Sequence, residues 1–234
     1  MQVRRKKMGK RHKAVLESVD RNKLHSLEEA AEVVKRCATA KFDESIELHV
    51  RLGIDAKQSD QQIRGTVALP NGTGKTRRVA VITKGEKVKD AEKAGADKFI
   101  AEEIIADINK GKFDFDVLVA SPDVMKDIAK LGRVLGPRSL MPNPKSGTVT
   151  FDIAKAVKEL KAGRVEFKND DYGIIHLAVA KKSFDPAKIT ENARAVMRTL
   201  IKMKPSSSKG TYVRSVTLSS TMGPGVPVNP SEKF

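Results

Sequence analysis

The stretch TYVRSVTLSSTM, Thr211 to Met222, closed by the turn Gly223-Pro224-Gly225, decides how this 234-residue chain folds. At the two-residue period of a strand, Tyr212, Val216 and Leu218 share one face, and Ser215, Thr217, Ser219 and Thr221 share the other. The first face is core. The second is a ladder of hydroxyls with no acid among them, each able to donate and to accept, which suits the phosphates and ribose 2′-hydroxyls of RNA. Small hydroxyl and β-branched side chains are also common on solvated strand faces, so the ladder needs support from the rest of the chain.

Such a strand needs partners, and both ends of the chain supply them. Near the N-terminus, Ile46, Leu48, Val50, Leu52 and Ile54 alternate with Glu47, His49 and Arg51, a strand with one apolar face. Ahead of it, Ser26 and Glu29 form a capping box for a helix predicted to about Ala40, with Leu27, Ala30, Ala31, Val34, Cys37 and Ala38 on one side. Between helix and strand stands Lys41-Phe42-Asp43-Glu44-Ser45, where Phe42 either stacks on a base or tucks under the sheet. Near the C-terminus, Arg164 to Lys168 and Ile174 to Ala180 read as strands joined by the hairpin turn Asn169 to Gly173. Asp185 and Pro186 open a helix whose Ile189, Ala193, Val196, Leu200 and Met203 form one stripe. One helix and one strand cannot stand alone. The two ends are therefore expected to combine into an α+β domain, a four-stranded, mainly antiparallel sheet with two helices on its apolar face.

The middle reads differently. Leu69-Pro70-Asn71-Gly72-Thr73-Gly74-Lys75-Thr76 is a turn-rich linker that permits a hinge. It is not a P-loop, because Leu69 stands where that pattern needs glycine, and a strand follows where it needs a helix. Short strands at Val79 to Ile82, Phe99 to Ala101, Val117 to Ala120 and Val149 to Phe151 alternate with helices at Lys87 to Ala94, Glu102 to Asn109, Asp123 to Leu131 and from Asp152 to Lys161. Four β-α units predict a small parallel sheet covered on both sides, an α/β domain of three layers. The expected division is thus residues 1–64 and 161–234 as a discontinuous RNA-binding domain, 65–160 as an inserted domain, and 1–13 as a flexible basic arm. Gly132 to Gly147 is too long to be a mere link; its Arg133, Arg138 and Lys145, with no acid among them, mark a secondary RNA contact.

A formal net charge of +16 favours a polyanionic partner, nucleic acid first and an anionic membrane surface second. Residues 65–160 hold 17 basic and 13 acidic side chains; the remainder holds 28 and 16, so most of the excess lies in the split domain. No apolar run approaches the length of a membrane span. The single cysteine, Cys37, excludes an intrachain disulfide and fits a reducing cytosol. An enzyme is the first rival reading, since α/β domains often host nucleotide chemistry. However, no Gly-x-Gly-x-x-Gly follows a strand, and His12, His25, His49 and His176 are scattered without ligand spacing. A DNA-binding regulator is the second, disfavoured by the hydroxyl ladder and by the lack of a helix with basic residues along one reading face.

Several stretches together resemble the L-one family of bacterial large-subunit ribosomal proteins over nearly the whole chain. They are Ala40 to Ser45, Gly53-Ile54-Asp55, Ser59-Asp60-Gln61, Gly132 to Arg138, Leu140 to Lys145 and Thr221-Met222-Gly223-Pro224. The resemblance implies a split domain with an inserted Rossmann-like domain, and a structural, non-enzymatic role in the mobile side stalk. It also implies an RNA grip by Lys41, Phe42, Ser45, Ser215, Thr217, Thr221, Met222 and Gly223, with Lys168 and Asn169 beside them. The partners it implies are large-subunit 23S rRNA, the protein's own operon mRNA, whose translation it would repress, and, transiently, exit-site tRNA that it helps release. No cofactor, metal or membrane is expected, the location is cytoplasmic on the ribosome, and the chain is a monomer when free of RNA. Ser139 stands where the family usually has glycine, and Met1 to Lys7 is an extension without a family counterpart.

Overall fold

The computed structural model describes residues 9–20, 22–83, 87–99, 101–138 and 140–232, apart from the side chains of residues 87, 89, 90, 101, 102 and 145. In chain order the helices are α1 Lys10–Glu17, α2 Leu27–Cys37, α3 Lys87–Lys93, α4 Ala101–Asn109, α5 Met125–Ala129, α6 Gly132–Leu135, α7 Ile153–Lys161 and α8 Pro186–Lys202. The strands are β1 Ser45–Leu52, β2 Arg64–Ala68, β3 Val79–Ile82, β4 Val117–Ala120, β5 Arg164–Lys168, β6 Ile174–Lys181, β7 Val213–Ser220 and β8 Gly225–Val228. The chain divides into one unit of Met1–Ile63, Leu69–Gly74 and Phe167–Phe234, and another of Arg64–Ala68 and Lys75–Glu166.

In the first unit the two ends of the chain build one antiparallel sheet, in the order β6-β1-β7-β8. The alternation read in the sequence sets its register: Leu48 lies opposite Leu177 and Leu218, and Val50 opposite Ile175 and Val216. These residues are buried beneath α2 and α8. Helix α2 starts as its capping box requires, with Ser26 Oγ accepting from the Glu29 amide at 3.2 Å. Helix α8 buries Ile189, Ala193, Val196 and Leu200, whereas Met203 lies beyond its end and is exposed. Tyr212 closes this core by donating to Leu200 O at 3.0 Å, and burial pushes its phenol up to about 12.

The fourth strand of that sheet is not the expected one. Arg164 to Lys168 pairs with Arg64 to Ala68 in a separate two-stranded sheet, and Gly225 to Val228 takes the edge beside β7. Pro227 hid β8 in the sequence, since proline reads as a strand breaker except at an edge. Here it is an edge residue whose carbonyl accepts from the His25 amide at 3.1 Å. The linker reading also needs correction. Leu69–Gly74 belongs to the first unit. The buried Asn192 of α8 accepts from the Asn71 amide at 3.1 Å and donates to the carbonyls of Gly72 at 2.9 Å and Val179 at 2.7 Å. Gly74 lies so close to Lys181 and Phe184 that a Cβ there would meet the lysine stem at 2.8 Å, and its φ of +72° favours glycine besides.

The second unit is built on the parallel pair β3 and β4, continued on either side by single bridges, Lys98 to Ala80 and Val149 to Ala120. Its strand residues alternate between two apolar clusters. Ala80, Ile82, Leu118 and Ala120 pack with Ile104, Ile108, Ile128 and Leu135, while Val79, Val81 and Val119 pack with Ala91, Ile153, Val157 and Leu160. Helices therefore cover both faces, as the β-α alternation predicts. The fold is thus α+β, with one four-stranded antiparallel sheet and one small parallel sheet.

Candidate nucleic-acid interface

Glu44 organises the site. It shares the odd-even parity of Ile46, Leu48 and Val50, so it points inward and is fully buried. Burial opposes its ionisation, but its carboxylate accepts from the amides of Ala40 at 2.7 Å and Met222 at 3.0 Å and from Ser220 Oγ at 2.8 Å. These bonds and nearby Arg11 outweigh the burial and hold the carboxyl below its ordinary range. One buried charge thus ties the segment before β1 to the turn after β7.

Thr221 makes a second tie. Its hydroxyl accepts from the Ser45 amide at 3.0 Å and lies 3.2 Å from the Ser45 carbonyl as a donor. Gly223 is required by this packing, because a Cβ there would sit 2.5 Å from Ser220 Oγ, the hydroxyl that serves Glu44. The result is that Phe42 and Met222 stand exposed at the same end of the sheet, at 53% and 51% of their full surface. Phe42 does not tuck under the sheet.

Cations frame this end. Lys41 is exposed, and Lys181 donates to Ser45 Oγ at 2.9 Å. Helix α1 begins at Lys10, so the basic arm is not flexible throughout; its Arg11 reaches Thr39 Oγ1 at 3.2 Å and the Met222 carbonyl at 3.3 Å. Met1 to Lys7 lies outside the described residues. The neighbouring acid, Asp43, is occupied by the amide and hydroxyl of Ser183, both at 3.1 Å.

The expected site residues fall into groups. Lys41, Phe42, Ser45, Thr221, Met222 and Gly223 come together at this end of the sheet. Thr217 lies mid-strand opposite His49, and Ser215 lies opposite Arg51 towards the other end. Lys168 and Asn169 precede the turn that leads into β6 at Ile174, opposite Arg51, roughly 20 Å along β1 from Ser45 at about 3.3 Å per residue. They are not beside Phe42. Asn169 is also buried, with its side-chain oxygen accepting from the Ile63 amide at 2.7 Å and its nitrogen donating to Asp170 O at 2.9 Å, so its amide is spent on the fold. Lys168 is exposed.

Two features escaped the sequence reading. Glu44 was legible from its parity with the core residues. His49 and His176, taken as scattered, lie directly opposite each other on β1 and β6 on the polar face, with their Nδ1 atoms 2.8 Å apart. Their pairing appears only once the register is known.

In the second unit, the connection from Gly132 to Gly147 is ordered rather than open coil. It contains α6, buries Pro142 and Ser146, and closes on Thr148, whose hydroxyl accepts from the Asn143 amide at 2.8 Å. Arg133 and Arg138 are exposed, Arg138 lying 3.9 Å from the ring centroid of Phe113. The side chain of Lys145 and the whole of Ser139 lie outside the described residues.

Comparison with known proteins gives a consistent result. Residues 33–224 match the model of the Ribosomal protein L1p/L10e family. The chain is 56% identical over 225 residues to the large ribosomal subunit protein uL1 of Thermus thermophilus, covering 96% of this chain and 98% of that one. It is 54% identical over 226 residues to the large ribosomal subunit protein uL1 of Macrococcus caseolyticus, covering 97% and 98%.

Proposed function

Because the chain belongs to the ribosomal protein L1p/L10e family, whose members are structural and not enzymatic, we propose that it binds 23S rRNA of the large subunit through one end of its four-stranded sheet. The observation that carries this reading is the exposed pair Phe42 and Met222, presented on a scaffold that Glu44 and Thr221 lock, amid Lys41, Arg11 and Lys181. An exposed aromatic ring and a thioether offer apolar surface to bases or riboses, while the cations meet phosphate. Hydroxyls and shape would then do the reading, since the chain has no tryptophan and only ten aromatic residues.

The remaining roles belong to the same reading. The unit of residues 1–63, 69–74 and 167–234 acts as a split RNA-binding domain, and the α/β part, Rossmann-like in kind, as its insertion. Repression of the protein's own mRNA needs no second site, because a transcript that folds like the rRNA element competes for the same surface. The exposed Arg133 and Arg138 support a further, transient contact with exit-site tRNA. The protein works on cytoplasmic ribosomes and is a monomer when free of RNA.

Footprinting on total rRNA tests the central claim. One protected 23S element, not displaced by an equal length of duplex DNA, is the expected result. Equal displacement by DNA overturns it, and unaltered translation of its own transcript in a cell-free system overturns the repression.

A further inference from the structure

The centre of the polar sheet face carries a chain of four side chains that the hydroxyl ladder does not account for. His49 Nε2 lies 2.9 Å from Ser219 Oγ, His49 Nδ1 lies 2.8 Å from His176 Nδ1, and His176 Nε2 lies 3.5 Å from Asp170 Oδ2. The rings meet edge to face with centroids 5.0 Å apart. When both rings are neutral, one arrangement of protons satisfies every contact. Ser219 donates to His49 Nε2, His49 Nδ1–H donates to His176 Nδ1, and His176 Nε2–H donates to the Asp170 carboxylate. The reverse arrangement leaves a bare ring nitrogen facing that carboxylate and is disfavoured.

This pair accepts one further proton and resists a second. The first goes to His49 Nε2, after which Ser219 accepts rather than donates and its hydroxyl hydrogen is free to turn outward. A second would place two N–H groups head to head across 2.8 Å. Burial, and then His176, hold the His49 imidazole below its ordinary range, against the pull of Glu47 at 3.9 Å. The other charged groups on this face include Asp170 at the β6 turn, Arg51 on β1, two residues beyond His49, and Lys181 on β6 opposite Ser45; the facing positions of β6 and β7 nearer His49 carry Ala178, Ile174, Thr217 and Ser215.

We propose that His49 and His176 form a phosphate-binding site at the middle of the RNA-facing sheet, one that takes up a single proton as it receives an RNA phosphate. The proposal rests on the reading that this face carries RNA. The arriving phosphate supplies the negative charge that stabilises the shared imidazolium, and Ser219, released from donating, turns its hydroxyl hydrogen to a phosphate oxygen. By linkage, RNA raises the proton affinity of the pair as much as protonation raises RNA affinity.

The test measures affinity for the footprinted rRNA fragment between about pH 6 and pH 8 for the native chain, His49→Gln, His176→Gln and Phe42→Ala. Glutamine keeps a polar side chain but cannot take up the proton. The native chain should bind at least about 3-fold more tightly at the acid end, because the phosphate raises the proton affinity of the pair. His49→Gln should flatten this dependence to less than about twofold, and proton uptake measured by calorimetry in two buffers should vanish with it, whereas His176→Gln, which keeps the ring that takes the proton and removes the neighbour that opposes it, should move the dependence to higher pH. Unchanged pH dependence in either folded variant overturns the proposal, as does RNA binding without proton uptake by the native chain. If Phe42→Ala binds as well as the native chain, the RNA face itself is misplaced. Loss of binding in Phe42→Ala, with a pH-independent native chain, spares that face and removes only the histidine site.

Discussion

Replacing Glu44 by glutamine keeps the shape of the side chain and removes the charge that holds the Phe42 and Met222 segments together. Glutamine has one acceptor oxygen, which serves Met222 N–H and Ser220 Oγ, while its amide nitrogen then faces the Ala40 N–H that Glu44 accepts from at 2.7 Å. A buried donor left facing a donor costs about 1–3 kcal/mol, and two bonds that fall from charge-assisted to neutral lose about 1 kcal/mol each. Allowing for local relaxation, the expected loss is about 2–4 kcal/mol in urea unfolding. Part of it should appear locally, as faster hydrogen exchange at the Met222 amide and weaker rRNA binding. Acid gives an independent check. The folded-state carboxyl is held below its unfolded value, so its stabilisation is complete above about pH 4.5 and is lost as pH falls through the folded value. Glu44→Gln should therefore show a shallower loss of stability below that point. A variant as stable as the native chain, with an unaltered Met222 exchange rate, would refute the clamp.

Phe42→Ala and Met222→Ala remove exposed side chains, so each should change stability by less than about 0.5 kcal/mol yet weaken rRNA binding by about 1–3 kcal/mol. Filter binding alongside thermal melts separates the two effects. Thr221→Val should lower both stability, by about 1 kcal/mol, and RNA affinity, by about 1–3 kcal/mol, because its hydroxyl already serves Ser45 in the free protein. Asn192→Ala removes three hydrogen bonds and should cost about 2–4 kcal/mol. It should also open the segment around Gly72 to protease, and unchanged cleavage there counts against the docked linker.

Local signals carried the sequence reading furthest. The Ser26 cap, the alternation from Ile46 to Leu52 and the stripe from Ile189 to Leu200 depend on neighbours along the chain, and each appears in the structure as read. The β-α alternation between Val79 and Lys161 was equally visible, although Val149 contributes a single bridge rather than a full strand, and in place of the strand expected from Phe99 to Ala101 there is one bridge at Lys98, with Ala101 already opening α4. What stayed hidden depends on distant partners. Arg164 to Lys168 has the composition of a strand wherever it pairs, and only tertiary contacts assign it to Arg64 to Ala68. The amide of Asn192 gives no local sign that it holds a loop 120 residues away. In the candidate interface, Phe42 was legible beside Lys41 at the mouth of β1, whereas Met222 came only with the family resemblance of Thr221-Met222-Gly223-Pro224. Asn169 misled because a turn asparagine looks alike whether its amide faces solvent or the fold.

The central position of β1 has a consequence for synthesis. Its two neighbours in the sheet are β6 and β7, and Ile46 finds its partner in Ser220, made long after it. While the chain is being translated, Ile46, Leu48 and Val50 have no sheet to join, whereas residues 75–166 are already in hand for the parallel pair. The end of the sheet that carries Phe42 is assembled only after β7, and a nascent polypeptide that stops before Met222 lacks the turn that Glu44 holds. Synthesis as far as Met222 is thus a condition for presenting Phe42 and Met222 together.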